Sequence, residues 1–388
     1  MQYELTEEQM LLQTTVRRLA KDKVSPGAAG RDEAEEFAWD MVELLRENGL
    51  YGTDFPEIYG GSDAGMLALC MAIEELSRAE AACGLLLADQ ELGALPILLA
   101  GNESQKQRYL PQLASGEHLA AFALTEPAAG SDVAQLRCRA KKDGDSYVLN
   151  GNKNFITNGG VADIITVYTV IDPEKPTHRN AGVFIVEKGT PGFSIGRKEK
   201  KMGIRWSDTV ELIFDECRVP GENLLGEAGL GFQVMMKTLD FSRPAVAAQA
   251  LGIAAGALEY AVAYAKERQS FGKPIIEHQG IAFKLADMAM RTEAARQLLY
   301  KTCALFQEQP KDMSRLSAEL LRMSSMSKCV CSDVAMWVTT EAVQVLGGYG
   351  YIREFPVERM MRDAKITQIY EGTNEIQRLV IARTLVSP

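Results

Sequence analysis

Near its C-terminal end the chain carries Gly347-Gly348-Tyr349-Gly350 and then Tyr370-Glu371-Gly372-Thr373. Because glycine has no side chain, the first stretch can lie directly against a flat or anionic cofactor. Gly372 frees the backbone beside Glu371, so that this carboxylate can point into a cavity. A carboxylate next to an electron acceptor can remove a proton and a hydride from adjacent carbon atoms. The two stretches therefore predict a base beside an electron-accepting cofactor.

The size and charge of the chain narrow its class. Its 388 residues exceed what one hydrophobic core usually holds, and 46% of them are hydrophobic, so we expect two or three packed units. There are 42 Lys and Arg against 52 Asp and Glu, which gives a formal net charge of -10. This balance argues against nucleic acid as a partner, but it allows a local basic pocket for a phosphate-bearing cofactor.

The N-terminal residues and the cysteines indicate the cellular compartment. Residues 1–9 lack the pattern of basic residues followed by an apolar run, and we expect no segment long enough to span a bilayer. The seven cysteines form no Cys-x-x-Cys pair, and with three histidines they offer no metal site. We therefore predict a cytoplasmic protein without membrane contact, with reduced cysteines in its core and no bound metal.

Hydrophobic periodicity divides the chain into three units. Helical spacing and a Thr6–Gln9 capping box predict an all-helical unit over residues 1–118. Short β-type runs predict a β-rich unit over 119–225, in which an Asn150-Gly151 turn separates two strands. Long helices return over 226–388, with separate helices expected at 232–239, 244–268 and 313–346. The Ala- and Gly-rich residues 246–263 permit close helix contact, either within the fold or between subunits.

Two polar loops are candidates for cofactor contacts. Residues 124–132, Leu-Thr-Glu-Pro-Ala-Ala-Gly-Ser-Asp, either present hydroxyls and N–H groups to a polar ring edge or end a strand with Ser131 or Asp132 as a cap. Residues 264–274, Tyr-Ala-Lys-Glu-Arg-Gln-Ser-Phe-Gly-Lys-Pro, are typical of a helix end. The alternative is that Arg268 binds a pyrophosphate while Phe271 stacks on an adenine.

Together with Gly151-Asn152-Lys153-Asn154-Phe155-Ile156-Thr157-Asn158, these stretches resemble the acyl-CoA dehydrogenase family, in the same order over nearly the whole chain. The short-chain, butyryl-CoA-like members are the most similar. The resemblance implies a mostly α fold with an N-terminal helical domain, a small barrel-like central β domain and a C-terminal four-helix bundle. It also implies FAD bound between the subunits of a homotetramer, an acyl-CoA substrate and an electron-transferring flavoprotein as the acceptor.

The resemblance implies a role for each matching position. Glu371 would take the α-proton of the acyl-CoA while the β-hydrogen leaves as hydride to flavin N5. Some branched-chain relatives carry the base just before the arginine of an Asp-x-x-Arg motif, but that position is Ser242 here and cannot serve. The substrate contacts would be Ser131, Asp240, Arg243 and Tyr370. The cofactor contacts would be Phe122, Leu124, Thr125, Ser131, Phe155, Thr157, Arg268, Phe271, Gln279, Gln344, Gly347, Gly348, Thr373 and Glu375.

Residues 87–93 depart from the family pattern, because Asp89 and Glu91 stand where relatives place small, apolar or neutral polar residues. Either these carboxylates lie on a solvated helix face, or Asp89 is an additional or substitute base in the acyl pocket. The second explanation resembles members that act on alicyclic thioesters such as cyclohexane- or cyclohexene-carboxyl-CoA. Trp206 is also bulkier than usual; it either reshapes the flavin side of the cavity or packs half-buried between strands.

Three other functions fit parts of the pattern. An acyl-CoA oxidase would use the same base and cofactor with dioxygen as acceptor, although oxidases of this superfamily are generally much longer. A flavin monooxygenase or nitroalkane oxidase would normally replace the glutamate. A non-enzymatic acyl-CoA-binding flavoprotein would need only the binding residues. The function we predict is α,β-dehydrogenation of a short-chain or alicyclic acyl-CoA by Glu371 and FAD.

Overall fold

The computed structural model describes residues 5–308 and 316–386. The chain opens with a helical unit whose first helix begins at the predicted capping box. The Thr6 hydroxyl accepts from the Gln9 N–H at 3.2 Å, and the Gln9 side chain accepts from the Thr6 N–H at 3.0 Å. The helices are α1 (Glu7–Leu19), α2 (Ala28–Ala34), α3 (Trp39–Glu47), α4 (Gly65–Ala79), α5 (Ala81–Ala100) and α6 (Glu103–Ala114).

Eight strands in the middle of the chain form one sheet. They are β1 (Ala120–Ala123), β2 (Arg139–Asp143), β3 (Ser146–Thr157), β4 (Ile164–Val170), β5 (Ala181–Glu187), β6 (Phe193–Lys198), β7 (Thr209–Pro220) and β8 (Leu224–Gly229). The order across the sheet is β6-β7-β3-β2-β4-β5-β8, with β1 pairing in parallel with β4. The β1 segment packs next to α5, which brings the sheet against the N-terminal helices. The division of the chain at residues 118 and 225 stays a prediction.

The predicted turn at Asn150-Gly151 was wrong, because these residues lie inside the single long strand β3. The pairing of β3 with β7 shifts register between Leu149 and Gly151, and Gly151 has a φ of 137°. A Cβ at Gly151 would lie 2.8 Å from the Cα of Cys138, so the bulge needs glycine for the close approach of the neighbouring backbone. The tight turn of this hairpin instead contains Gly144, between β2 and β3.

Five further helices form the C-terminal unit. They are α7 (Gly231–Glu267), α8 (Gln279–Gln307), α9 (Ala318–Leu346), α10 (Val357–Thr367) and α11 (Asn374–Val386), with the two-residue strands β9 (Gln269–Ser270) and β10 (Lys273–Pro274) after α7. Helix α9 packs against α7, α8, α10 and α11, so it is the central helix of this unit. The expected helix start at 313 lies outside the described residues.

The two helices expected at 232–239 and 244–268 are one continuous helix, α7, with Pro244 inside it. Proline lacks the N–H that would bond to the carbonyl four residues earlier, which here belongs to Asp240. The hydroxyl of Ser324 on α9 donates to this carbonyl at 2.9 Å. The helix therefore continues because a neighbouring helix satisfies the freed acceptor.

The Ala- and Gly-rich part of α7 packs inside the fold. A Cβ added at Gly252 would clash with the carbonyl oxygen of Glu74, and one at Gly256 would clash with that of Arg78. Both carbonyls belong to α4, so these glycines let α7 and α4 approach closely. Of the two explanations for this stretch, packing within the chain accounts for both glycines.

Within residues 5–308 and 316–386, three helical segments are long and apolar enough, by length and composition alone, to cross a membrane: Ala81–Ala100, Gly231–Glu267 and Ala318–Tyr351. The expectation that no segment has this length was wrong. The most apolar windows of these segments are 89%, 78% and 50% buried inside the protein, respectively. In the first two segments, the apolar residues mainly form the core between the helical layers. Their burial in this core explains why these helices are as apolar as a membrane-spanning helix.

Candidate active site

Glu371 lies on the turn between α10 and α11 and adopts a left-handed conformation with a φ of 51°. Gly372, at a φ of 89°, continues the turn. The Gln377 side chain donates to the carbonyl oxygens of Glu371 at 3.2 Å and of Gly372 at 3.0 Å, and Lys328 Nζ donates to that of Gly372 at 2.8 Å. Because hydrogen bonds hold the strained backbone from two sides, the direction of the carboxylate is fixed.

The Glu371 carboxylate accepts a hydrogen bond from the Ser242 hydroxyl, which projects from α7. Burial raises the pKa of Glu371 to about 7, while the Ser242 hydrogen bond and the positive charges of Lys328 and Arg243 act in the opposite direction. A carboxyl group that titrates near neutrality can both take and hold a proton at the working pH. Ser242 was excluded as a base from the sequence, but its role as the partner of Glu371 was missed.

Arg243 and Asp240 form an ion pair three residues apart on α7. Arg243 is only 2% exposed and also donates to Ser325 Oγ at 3.3 Å, whereas its Nε has no partner among the described residues. Tyr370 lies next to Glu371, and its hydroxyl donates to the side chain of Gln249 on α7. Burial raises the pKa of this phenol well above its usual range. Three of the four predicted substrate residues thus lie on or beside the segments that bear Glu371 and Ser242.

Asp89 is not on a solvated helix face. It is 4% exposed, and its Oδ2 has no hydrogen-bond partner among the described residues. Burial raises the pKa of Asp89 well above its usual range, and the negative charges of Glu371 and Asp208 raise it further. The side chain of Asn158 acts in the opposite direction. Glu91 is buried as well, and neither of its carboxyl oxygens has a hydrogen-bond partner in the part of the chain that the structure describes. The structure therefore brings Asp89 into the neighbourhood of Glu371.

The flavin-binding segments expected in the sheet meet at the end of β1. The Asn154 N–H in β3 donates to the Thr125 carbonyl at 2.7 Å, so the segment Phe122, Leu124 and Thr125 lies beside Phe155 and Thr157. Phe155 is 60% exposed and has a φ of 58°, a conformation unusual for an aromatic residue. An exposed aromatic ring at this place suits contact with a flat cofactor.

A buried ion pair that sequence reasoning missed anchors the loop after β1. Lys153 Nζ lies 2.8 Å from Glu126 Oε1 and donates to the Leu124 carbonyl at 3.0 Å. Glu126 also accepts from the N–H groups of Arg137 and Cys138. These bonds fix the loop 124–132 from inside, while Ser131 at its tip is exposed. The Glu-Pro and Asn-Lys-Asn stretches gave no signal for the pair, because its members are 27 residues apart.

A second group of predicted residues surrounds a cavity of about 610 Å³ at the far end of α7. Its lining includes Arg268, Phe271, Gly347 and Gly348. The Arg268 guanidinium lies 5.4 Å above the Tyr349 ring, and Phe271 is 96% exposed. The two glycines border open space. A cation, an exposed ring and bare backbone around one cavity fit a nucleotide with its pyrophosphate.

This cavity and Glu371 are far apart in one chain. Ser242 touches Glu371, and Arg268 follows 26 residues later along the same helix, so the two are separated by roughly 39 Å at 1.5 Å per residue. Gln279 and Gln344 are exposed near the cavity but do not line it. Thr373 and Glu375 lie at the start of α11, where Thr373 Oγ1 accepts from the Ile376 N–H at 3.4 Å. The predicted cofactor residues therefore form two groups within the chain.

Among the described residues, Trp206 forms no hydrogen bond or ring contact with either group. It is almost fully buried, donates from Nε1 to Glu80 Oε1 at 2.8 Å, and packs edge-on against Phe37. Glu80 also binds Arg31. Trp206 thus connects the loop before β7 to the N-terminal helices through Glu80, a role that neither sequence interpretation included.

The fold and these groups of residues fit an oxidoreductase that binds a cofactor. Three family models match the chain: the N-terminal domain of acyl-CoA dehydrogenase at residues 6–117, the middle domain at 121–217 and the C-terminal domain at 229–386. The chain therefore belongs to the acyl-CoA dehydrogenase family, and it is an FAD-dependent enzyme of that family. The predicted family, fold, enzyme class and cofactor are confirmed.

Individual relatives extend the similarity over almost the full length. The chain is 48% identical over 383 residues to an acyl-CoA dehydrogenase of Bacillus subtilis, covering 98% of this chain and 99% of the relative. It is 47% identical to a cyclohex-1-ene-1-carbonyl-CoA dehydrogenase of Geobacter metallireducens, covering 99% of both. Its structure matches the butyryl-CoA dehydrogenase of Megasphaera elsdenii with a TM-score of 0.95, at 46% identity and full coverage of both chains.

Proposed function

We propose that the protein introduces an α,β double bond into a short-chain acyl-CoA, with Glu371 as the base that removes the α-proton. The observation that supports this role most directly is the Glu371 carboxylate itself, which is fixed by a left-handed turn, bonded to Ser242 and poised to titrate near pH 7. The similarity to butyryl-CoA dehydrogenase favours a short acyl group.

The chain's own groups divide the work of proton abstraction. An α-proton of a thioester is a weak acid, so the enolate-like charge on the thioester oxygen needs donors, each worth roughly 3 kcal/mol. The Glu371 backbone N–H makes no hydrogen bond to another described residue and is free for this purpose. Exclusion of water by the bound thioester would raise the pKa of Glu371 further and make it a stronger base. When bound, FAD supplies the acceptor for the hydride.

The two separated groups of cofactor residues support a shared cofactor. Phe122, Thr125 and Phe155 near the sheet would hold the flavin, and Arg268 and Phe271 would hold the pyrophosphate and adenine of FAD in another subunit. The reason is that roughly 39 Å of helix α7 separates Ser242, which touches Glu371, from Arg268. An isolated monomer would leave each cofactor half-bound. We therefore include a homo-oligomer, a tetramer as in the resembling family, in the proposal. A cytoplasmic location and an electron-transferring flavoprotein as acceptor complete it.

The test of the base is Glu371→Gln, which keeps the shape of the side chain and its hydrogen bond to Ser242. We expect full FAD content but anaerobic flavin reduction by butyryl-CoA slowed by at least about 10²–10⁴-fold, the range for a lost general base. An exposed glutamate on α11, Glu375→Gln, would serve as a cofactor-side comparison and should retain far more of the rate. Reduction of the flavin by Glu371→Gln at the wild-type rate would contradict the proposal.

A second candidate substrate class is an alicyclic acyl-CoA, with Asp89 as an additional or substitute base. Two observations favour it: Asp89 is buried near Glu371 with no partner for its Oδ2 among the described residues, and one relative is named a cyclohex-1-ene-1-carbonyl-CoA dehydrogenase. Asp89→Asn should slow flavin reduction by cyclohexene- or cyclohexane-carboxyl-CoA much more than reduction by butyryl-CoA. Unchanged turnover of every accepted thioester would exclude a chemical role for Asp89.

A further inference from the structure

Lys328 on α9 is a fully buried lysine that contacts the turn of Glu371. Its Nζ donates to the Gly372 carbonyl at 2.8 Å and to Asn374 Oδ1 at 3.0 Å. The first acceptor immediately follows Glu371, and the second begins α11. One side chain thus ties both the turn and the next helix to the central helix of the C-terminal unit.

Burying an ammonium group is costly unless an opposite charge compensates it. Both hydrogen-bond acceptors of Lys328 are neutral, and it forms no ion pair with any described residue. Burial lowers the pKa of Lys328 to about 8, and the strongest influence in the opposite direction is the negative charge of Glu371. Conversely, the charge of Lys328 is among the groups that restrain the raised pKa of Glu371. The two groups therefore stabilise each other's charged forms.

The other charged groups nearby are either paired or negative. Arg243 on α7 acts on both residues, but Asp240 neutralises it in an ion pair. Asp333, one turn after Lys328 on α9, is paired with Arg378 at 2.8 Å, and Cys329 is a buried thiol. On α5, Asp89 and Glu91 are both carboxyl groups whose own pKa values rise through the charge of Glu371. Among the described residues around the turn, Lys328 is thus the cation that no ion pair balances.

We propose that Lys328 is the buried counter-ion of Glu371 and holds the turn that carries it, and is therefore a positioning residue for proton abstraction. Its positive charge favours the ionised form of Glu371 before the thioester enters. Its two hydrogen bonds hold the Gly372 carbonyl and the Asn374 side chain, on either side of Thr373. This inference rests on the proposed role of Glu371 as the base.

The test compares Lys328→Met with Lys328→Arg in the FAD-loaded enzyme. The pH dependence of kcat/KM, measured as anaerobic flavin reduction at low butyryl-CoA concentration, reports the ionisation of the free enzyme. For Lys328→Met we expect the rising limb of the kcat/KM profile to move to higher pH by about one unit. This is at the low end of the pKa shift of about 1–3 units that a neighbouring charge causes. If the midpoint moves from about 7 to about 8, the rate at pH 7 falls about fivefold and recovers above pH 9.

Two variants separate charge from shape. Lys328→Arg keeps the charge and should leave the midpoint close to the wild-type value, even if its rate is lower at every pH. Lys365→Met removes one lysine charge from the exposed face of α10, only six residues before Glu371, and should leave the profile in place. The inference would be overturned if the midpoint of the pH profile in Lys328→Met equalled that of the wild type. It would also be overturned if Lys328→Met and Lys328→Arg shifted this midpoint by the same amount.

A second measurement needs no variant of Lys328. In the holoenzyme with isotope-labelled lysine side chains, one resonance should titrate near pH 8, and in Glu371→Gln its midpoint should move to lower pH because the counter-charge is gone. An unchanged midpoint would overturn the inference. If instead Glu371→Gln reduces flavin at the wild-type rate, the proposed function fails, whatever the lysine resonance does. The two failures are therefore distinguishable.

Discussion

At the scale of the residue, the properties of Glu371 come from its surroundings. The same Tyr-Glu-Gly-Thr stretch on a solvated surface would carry a carboxyl group with a pKa near 4. Burial raises the pKa of Glu371, and Ser242 is the first of the groups that hold it down at about 7. Ser242 therefore contributes to how much of the Glu371 carboxyl group is ionised at neutral pH.

Replacing Ser242 by alanine removes a hydrogen bond that favours the charged carboxylate. The pKa of Glu371 then rises, so a larger fraction of the base is protonated at pH 7, and the rising limb of kcat/KM moves to higher pH. We expect the rate at pH 6.5 to fall several-fold and the rate at pH 9 to be unchanged or higher. Thr238→Val is a matched control. Thr238 lies one turn earlier on α7, and its buried hydroxyl donates to the Val234 carbonyl and to no other described residue. If the rising limb of kcat/KM in Ser242→Ala lay at the same pH as in the wild type, this account would be contradicted.

At the scale of the element, α7 connects the parts of the site. Its central turns carry Asp240, Ser242 and Arg243, its Ala- and Gly-rich half packs against α4, and its end opens into the cavity lined by Arg268. Close packing at Gly252 and Gly256 fixes the axial position of this helix relative to α4. Ser242 is consequently held in register with Glu371 by contacts more than two turns away.

The packing of α7 predicts unequal effects of two Gly→Ala substitutions. In Gly252→Ala the new methyl group meets the Glu74 carbonyl, so we expect a loss of about 1–3 kcal/mol in stability from overpacking. In Gly280→Ala, near the start of α8, the methyl group meets no atom within 4 Å, and a helical alanine should be neutral or stabilising by up to about 1 kcal/mol. Thermal unfolding of both holoenzymes measures the difference. Equal unfolding midpoints would show that α4 and α7 do not touch at Gly252.

At the scale of the whole molecule, the distance between the two groups of cofactor residues predicts complementation between subunits. Arg268→Ala alone should weaken FAD binding by about 1.5–3 kcal/mol, roughly 10- to 100-fold, through the lost charge-assisted bond. Glu371→Gln alone should bind FAD but not react. In co-expressed hybrids, a subunit with Glu371 can be served by the Arg268 of its neighbour, so we expect activity at limiting FAD that neither parent shows. Hybrids no more active than the mixed parents would contradict a cofactor site shared between subunits.

Stability as a function of pH is also a property of the whole molecule. Glu91 is buried, and its carboxyl oxygens bond to none of residues 5–308 and 316–386. Burial raises its pKa well above the usual range, as do the charges of Asp54 and Glu371. Above about pH 4.3 the unfolded chain releases this proton while the folded protein keeps it, so Glu91 costs stability increasingly as the pH rises. The gain from Glu91→Gln should therefore grow between pH 5 and pH 8, by up to about 1.4 kcal/mol per pH unit. Exposed Glu103→Gln is the control; a gain independent of pH would mean that Glu91 is solvated.

The sequence by itself determined the family, the helix–sheet–helix order and the position of the C-terminal acid. Local signals sufficed for these, because the Thr6 cap, the alternating strands and the Gly-rich stretches act over a few residues. The same local rules failed at Asn150-Gly151 and Pro244, where a neighbouring strand or helix compensates for the residue that normally breaks an element. The apolar helices α5 and α7 likewise met the criteria for a membrane span because a core and a bilayer favour the same composition.

Only the tertiary structure decided the electrostatics of the site. Glu371, Ser242, Lys328 and Asp89 come from four separate segments, and no local pattern specifies that they meet. A carboxyl group's pKa depends on the water removed and the charges gathered around it, and both are set by long-range packing. The sequence could single out Glu371 as a candidate base, but the fold decides when its carboxyl group is charged.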